Sequence, residues 1–100
     1  MRPDRLRSMT GIAQKAGRLA SGEFAVEAGV KSGEAKLVIL AVDASDNTKK
    51  LFNNKCKFYG VPVIETMTKE ELGHSIGKDY RAVAAVLDQG IADAILKTLK

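Results

Sequence analysis

The chain has 100 residues, of which 45% are hydrophobic, and a formal net charge of +4. This length fits a single domain over residues 1–100 with one modest core, and the charged fraction is too ordinary for a disordered chain. No apolar run approaches the length that crosses a bilayer, and the N-terminus lacks the apolar centre of a signal peptide. We therefore expect a cytoplasmic protein without a membrane partner. The single cysteine, Cys56, excludes an internal disulfide framework and a cysteine-based zinc site.

Glycines and capping residues divide the first third of the chain into two helices. Asp4 can cap a first helix that ends at Gly17, and residues 18–20 are expected to be extended. Ser21 can cap a second helix that ends at Gly33.

Phe24, near the start of the second helix, has two interpretations. It shares a helical face with Ala28, which favours a place in the core. The alternative is a base-stacking role at the helix entrance, where Gly22 lets a ligand come close to the backbone. After this helix, the continuous apolar run at residues 37–42 predicts a strand buried on both faces.

A third helix is expected to begin at Ser45 or Asp46 and to end at Gly60. Its predicted inner face consists of Leu51, Phe52, Cys56 and Tyr59. Residues 61–64 have the pattern of the next strand, with Pro62 at its start or on a sheet edge.

The last third of the chain carries the clearest helix start, a capping box from Thr68 to Glu71. Residues 82–87 predict a final buried strand, and Asp88 can cap a last helix. Helices and apolar strands in alternation indicate an α/β fold in which helices cover both faces of the sheet.

Ligands of such folds lie outside the carboxyl ends of the strands. This places Asp43, after the 37–42 strand, at the default binding position. Helix N-termini at Gly22 and Asp46 are expected nearby, with free backbone N–H groups suited to phosphate.

The sequence lacks the side chains of a catalytic or metal site. His74 is the only histidine and is expected in a surface or capping role, while Cys56 lies on an apolar stripe and is expected in the core. The carboxylates show no ligand spacing, and Asp43 and Asp46 are explained as a turn residue and a helix start. We therefore expect no enzymatic activity, no cofactor and no metal.

The positive charge is concentrated in two segments. Residues 1–18 and residues 49–57 each carry a net charge of +4, and the remaining segments sum to −4. Two basic clusters on an otherwise acidic chain are a plausible footprint for phosphate, although lysines that merely solvate helix faces would give the same pattern. Tyr80 stands between Lys78 and Arg81, a combination that holds unpaired bases, but a tyrosine there could equally cover the sheet edge.

Four segments share their order and spacing with one known family. They are Gly22 with the helix after it, Ser-Gly-Glu-Ala-Lys-Leu-Val-Ile-Leu-Ala-Val-Asp-Ala-Ser at 32–45, Lys-Cys-Lys-Phe-Tyr-Gly-Val-Pro-Val at 55–63 and Thr-Lys-Glu-Glu-Leu-Gly at 68–73. From about Leu6 to Leu96 the chain resembles the kink-turn RNA-binding ribosomal protein family of archaea and eukaryotes, and in particular its small bacterial YlxQ-like branch. The resemblance implies a three-layer α/β/α sandwich with a mixed four-stranded sheet.

The resemblance also implies three places that hold RNA. They are the start of the second helix with Lys31, the turn after the second strand, and the loop before the last strand, which correspond to residues 22–28, 43–49 and 77–81. Kink-turn binders of the family read sheared G·A pairs with Asn-Glu and a following Lys, whereas this chain has Phe24, Ala25 and Ala28. Whether a standard kink-turn is recognised is therefore left open, while phosphate contact and stacking do not depend on those side chains.

We predict a non-catalytic RNA-binding protein that is ribosome-associated or acts on a structured RNA in translation. Its expected partners are structured, ribosomal RNA and ribosomal proteins, and it is expected to be a monomer. The predicted RNA-binding residues are Lys15, Arg18, Gly22, Glu23, Phe24, Lys31, Asp43, Lys49, Lys50, Lys78, Tyr80 and Arg81. Two alternatives stay open: a protein-interaction or assembly module that has lost the RNA site, and the substrate-recognition part of an RNA-modifying enzyme.

Overall fold

The computed structural model describes residues 3–99, and the side chains of residues 5–99. In chain order the elements are α1 Pro3–Lys15, β1 Leu19–Ser21, α2 Glu23–Ser32, β2 Leu37–Leu40, α3 Asp46–Tyr59, β3 Val63–Glu65, α4 Lys69–Ser75, β4 Val83–Val86 and α5 Gln89–Thr98. The predicted cap at Asp4 concerns a side chain outside the described ones. No helix within residues 3–99 has the length and apolar character needed to span a membrane.

The four strands form one mixed sheet in the order β1-β4-β2-β3. Strand β4 is antiparallel to β1 and β2, while β2 and β3 are parallel. Strands β1, β2 and β3 therefore end on the same side of the sheet, where β4 begins. We call this side the carboxyl end and the opposite side the amino end.

Helices cover both faces of the sheet because alternate residues of β2 are buried on opposite sides. Leu37 and Ile39 pack with α1, α4 and α5 in one core. Val38 and Leu40 pack with α2 and α3 in the other. The predicted three-layer α/β/α sandwich with a mixed four-stranded sheet is confirmed.

Local sequence signals predicted most helix ends correctly. Ser45 and Asp88 accept N–H groups of their helices, and Thr68 and Glu71 form the predicted capping box. Gly33 and Gly60 end α2 and α3 in the left-handed conformation, as predicted.

Two sequence predictions about α2 are wrong. Ser21 does not cap α2, because it is the last residue of β1 and Gly22 is the N-cap. Phe24 is not in the core but 89% exposed. Val26 and Val30 show the same i, i+4 spacing as Phe24 and Ala28, and it is the valines that face the sheet.

The strands and the inner face of α3 are also smaller than predicted. The apolar runs at 37–42 and 82–87 give four-residue strands, and β3 begins only after Pro62. On α3, Phe52 and Cys56 are fully buried. Leu51 and Tyr59 are 37% and 44% exposed, since only a narrow side of this helix meets the sheet.

Candidate nucleic-acid interface

The carboxyl end brings four separate segments of the chain together through backbone hydrogen bonds. The N–H of Gly22 donates to the carbonyl of Val83 at 3.0 Å, which joins the start of α2 to the start of β4. The N–H of Ala41 donates to the carbonyl of Ala82 at 2.8 Å, and the N–H of Val42 donates to Met67 at 2.8 Å. The starts of α2, α3 and α4 and the loop before β4 therefore surround one surface.

The loop at residues 77–82 is held against this surface at both of its ends. The N–H of Lys78 donates to the carbonyl of Gly73 at 2.8 Å, and the N–H of Arg81 donates to that of Lys69 at 3.1 Å. The Arg81 side chain reaches across to β1, where its Nε donates to Ser21 Oγ at 3.3 Å. One of its terminal nitrogens donates to the carbonyl of Tyr80 at 2.7 Å. Arg81 thus fixes the position of the tyrosine next to the start of α2.

The start of α2 leaves its N–H groups free of side-chain caps. Gly22 has φ 89° and ψ 154°, a conformation that only glycine adopts readily, and no side chain accepts from the first turn. The starts of α3 and α4, in contrast, are capped by Ser45 and Thr68. The expectation of free N–H groups therefore holds for the first turn of α2, after Gly22, and is corrected for the helix at Asp46, which Ser45 caps.

Asp43 has a structural role at the same surface. Its Oδ1 accepts the N–H of Lys69, the first residue of α4, at 2.8 Å. A carboxylate at a helix N-terminus is stabilising because it offsets the partial positive charge there. The carboxylate therefore holds α4 next to the turn after β2.

Two aromatic rings at the carboxyl end lie open to solvent. Phe24 is 89% exposed in the first turn of α2, and Tyr80 is 62% exposed in the loop that Arg81 ties to Ser21. Folding gains little from burying so small a part of Phe24. Flat, accessible faces of this kind are suited to stacking with an unpaired base.

Cations at the carboxyl end are mixed with acids and do not form a strongly positive patch. The Nζ of Lys49 donates to the carbonyl of Val42 at 2.8 Å and lies 3.2 Å from a carboxylate oxygen of Glu65, so this ammonium is already committed. Lys50, Lys78 and Arg81 lie close by, and Glu23, Asp43, Asp46 and Asp79 are interleaved with them. Lys50 and Lys78 are exposed. This surface offers a few cations around exposed rings.

The structure does not bring the other predicted cations to this surface. Lys15 is the last residue of α1 and Lys31 lies in the last turn of α2, both at the amino end. The carbonyl of Arg18 accepts the N–H of Leu87, beyond the last residue of β4, at 2.8 Å. The predicted RNA-binding residues Lys15, Arg18 and Lys31 therefore lie at the opposite end of the sheet from Gly22.

Sequence reasoning missed two side chains of the carboxyl end. Val42 is 48% exposed because β2 stops at Leu40, and the run of six apolar residues concealed this early end. Ser21 was expected as a cap and instead receives the Arg81 side chain. No local pattern connects residues 21 and 81, since only the pairing of β1 with β4 joins them.

Cys56 and His74 occupy the environments expected for residues without a chemical role. Cys56 is fully buried, and burial raises the pKa of its thiol to about 11. Its thiolate, the reactive form, is therefore scarce at neutral pH. His74 is exposed in the last turn of α4.

Comparison with known proteins identifies the family. The model of the ribosomal protein L7Ae/L30e/S12e/Gadd45 family matches residues 4–96. The chain belongs to this family. Among its curated relatives is the RNA-binding protein YlxQ of Bacillus subtilis (strain 168), which is 42% identical over 91 residues, 91% of this chain and 91% of the relative. The prediction that the chain is not an enzyme is confirmed, because the family and its curated relatives are RNA-binding proteins.

Solved structures of the L7Ae-type fold superpose on the whole sandwich. A protein of unknown function from Bacillus halodurans C is 37% identical with a TM-score of 0.89, covering 92% of this chain and 93% of its own. The 15.5kD RNA binding protein of Giardia lamblia has a TM-score of 0.79 at 23% identity, covering 92% of this chain and 82% of its own. At 23% identity, the similarity to the Giardia lamblia protein shows only a shared fold.

Proposed function

We propose that this protein binds structured RNA without catalysis and that the RNA lies on the carboxyl end of the sheet. The observation that carries the proposal is the pair of exposed rings at the carboxyl end: Phe24 in the uncapped first turn of α2, and Tyr80 in the loop that Arg81 ties to Ser21. The 42% identity to an RNA-binding protein supports RNA as the ligand.

In this proposal the surface grips RNA in two ways. Phe24 and Tyr80 stack on unpaired bases, an interaction worth about 1–3 kcal/mol per base. The uncapped N–H groups in the first turn of α2 and the cations of Lys78 and Arg81 contact phosphate, which positions the RNA without reading its sequence.

The ring at position 24 also indicates what kind of RNA fits. Phe24, Ala25 and Ala28 are all exposed, so they present apolar groups where kink-turn readers present an amide, a carboxylate and an ammonium. Apolar groups cannot hydrogen-bond guanine edges, but a ring stacks on every base. We propose that the target carries unpaired bases beside a helix and that sheared G·A pairs are not required.

We further propose that the target belongs to the translation machinery, with ribosomal RNA as the first candidate. The ribosomal proteins of the matched family support this assignment. Binding as a monomer in the cytoplasm, next to ribosomal proteins, is part of the same proposal.

A filter-binding assay tests the proposal with total ribosomal RNA, a standard kink-turn hairpin and the same hairpin with its G·A pairs replaced by Watson–Crick pairs. We expect the two hairpins to bind alike. Changing Lys78 and Arg81 together to Ala should weaken binding more than the charge-matched control, Lys97 and Lys100 to Ala. Equal effects of the two double variants would contradict the assignment to this loop.

Salt dependence provides a second readout. If Lys78 and Arg81 each neutralise one phosphate, the slope of log affinity against log salt should be about −1.4 for unpaired RNA. Binding that does not change with salt would contradict the phosphate contacts.

Docking of a protein at the same surface is the second candidate function. The mixing of cations with acids, together with the exposed Val42, Phe24 and Tyr80, favours it. The assay separates the two, because a protein-docking module would bind none of the three RNAs.

A further inference from the structure

The outer face of α3 carries a repeated set of exposed side chains. Three residue types recur after seven positions, which is nearly two helical turns and places each pair about 10.5 Å apart on the same face. The pairs are Asn47 and Asn54, Lys50 and Lys57, and Leu51 and Phe58. All six residues are exposed, and the buried residues of this helix, Thr48, Phe52 and Cys56, lie on its opposite side.

The set contains two large apolar side chains, Leu51 and Phe58, and Phe58 is the more exposed of the two. It is 82% exposed, and Tyr59 lies against it edge-on with ring centroids 5.0 Å apart and an interplanar angle of 77°. The two rings and the side chains of Asn54 and Lys55 line a cleft at the amino end of the sheet. The T-shaped contact therefore leaves most of the Phe58 side chain open to solvent.

The charge on this face is positive. Residues 47–64 contain four lysines and no acid. Two of these lysines are committed: Lys49 to Glu65, and Lys55 to Glu27 of α2 at 3.0 Å. Within residues 5–99, Lys50 and Lys57 form no ion pair, and they are the two that point outward with the asparagines.

Helix α3 connects this face to the carboxyl end. The helix starts beside Asp43 and, with 14 residues, runs about 21 Å to the amino end. Lys50 lies one turn from its start and Phe58 at its far end. A strand that leaves the carboxyl end along α3 would meet first a lysine and then an aromatic ring with a second lysine.

We propose that the outer face of α3, formed by Lys50, Asn54, Lys57 and Phe58, is a second RNA contact that holds an unpaired strand continuing from the carboxyl end. This inference rests on the proposed RNA binding at the carboxyl end. Lys50 and Lys57 contact phosphates, Phe58 stacks on a base, and Asn54 offers a hydrogen-bond donor and acceptor to a base edge. Lysines are depleted at the cores of protein–protein interfaces, so two free lysines around one ring favour RNA over a protein partner.

The test compares the affinities of two RNA probes for the full chain: a hairpin with an unpaired internal bulge, and the same hairpin with a ten-nucleotide unpaired tail of mixed uridine and adenosine. Tails at the 5′ and the 3′ end are tested separately. We expect one of the tailed RNAs to bind more tightly. Phe58→Ala should weaken the binding of that RNA by about 5–150-fold, the range of one base–aromatic stack, and leave the untailed hairpin unaffected.

Matched variants separate this effect from a general one. Ile12→Ala removes a side chain that is 58% exposed on α1, in the other helix layer, and should change neither affinity. Lys50→Ala with Lys57→Ala should flatten the salt dependence of the tailed RNA by about 1.4 in log–log slope, while the Lys97 and Lys100 double variant should not.

Three results would overturn the inference, and they differ in what they say about the carboxyl end. If the untailed hairpin binds and neither tail adds affinity, the contact along α3 is absent and the proposed function stands. If an acidic amphipathic peptide binds in a Phe58-dependent way and the tails do not, the face is a protein-docking surface. If neither RNA binds the wild-type protein, the proposed function fails together with the inference.

Discussion

Replacing Phe24 with Ala separates a binding role from a folding role, because the two predict opposite results. A fully buried aromatic side chain removes about 150–250 Å² from water. Phe24 is 89% exposed, so its burial on folding is only about 20 Å², worth about 0.5 kcal/mol. We therefore expect the midpoint of thermal unfolding to fall by less than about 4 °C.

The same substitution should strongly weaken RNA binding. Loss of one base–aromatic stack costs about 1–3 kcal/mol, which raises Kd by about 5–150-fold. Binding of the bulged hairpin would be measured by filter retention, and unfolding by circular dichroism. Phe24→Tyr keeps a stacking face and should retain most of the affinity.

Val26→Ala, two residues further along the same helix, is the matched control. Val26 is fully buried, so the variant should lose about 2 kcal/mol of stability and about 8–16 °C in unfolding midpoint. Its RNA affinity, measured well below that midpoint, should stay close to wild type. If Phe24→Ala leaves the RNA affinity unchanged, or lowers the unfolding midpoint as far as Val26→Ala does, the stacking role of Phe24 is refuted.

Three further predictions concern the groups that support the surface. A Cβ at Gly73 would lie 2.7 Å from the carbonyl carbon of Asp79 and 2.9 Å from the nitrogen of Tyr80. Gly73→Ala should therefore displace the 77–82 loop, destabilise the protein by about 1–3 kcal/mol in urea unfolding and weaken RNA binding. An unchanged RNA affinity would argue against a role of this loop in binding. The N–H of Thr68 and the Arg7 guanidinium lower the pKa of Glu71 from its usual 4.5, so its charge stabilises the fold above about that pH and the contribution is lost as pH falls through the lowered pKa. Since Gln keeps the capping box but not the charge, the stability difference between wild type and Glu71→Gln should shrink from pH 7 to pH 3, and a constant difference would contradict the Arg7 contact. Finally, Cys56 should react with iodoacetamide slowly in the native protein at pH 8 and rapidly in guanidinium, whereas fast native labelling would show that the core beneath α3 is open.

The order of elements was predictable because each helix end carries its own local signal. Ser45, Thr68 and Asp88 accept N–H groups within three residues of themselves, so the sequence nearby contains the whole cap. Strands β2 and β4 are buried on both faces, which gives continuous apolar runs. Their ends were not predictable, since Ala41, Val42 and Ala82 are apolar but lie outside the ladder.

The position of Phe24 could not be decided from the pattern of α2 alone. Two apolar stripes, at 24 and 28 and at 26 and 30, have the same spacing, and only packing against β2 and β4 selects the valines. Phe58 carried a readable signal, because it lies off the predicted inner face of α3. An apolar residue outside the stripe of its helix is a candidate for contact with something other than the core.

The candidate site was predicted as three separate segments but not as an arrangement. The starts of α2 and α3 and the loop before β4 each carry a local sequence feature that predicts a binding role. That Arg81 reaches Ser21, and that Lys15 and Arg18 lie at the opposite end of the sheet, follows from strand order. Strand order is a property of long-range pairing, which no local pattern contains.

The most direct test of RNA binding at the carboxyl end is a titration of the ¹⁵N-labelled protein with the untailed bulged hairpin, followed by two-dimensional amide NMR. We expect the largest signal changes at Gly22, Glu23 and Phe24 and in the loop from Lys78 to Arg81. Changes confined to the amino end, at residues 33–36 and Leu87, would contradict it.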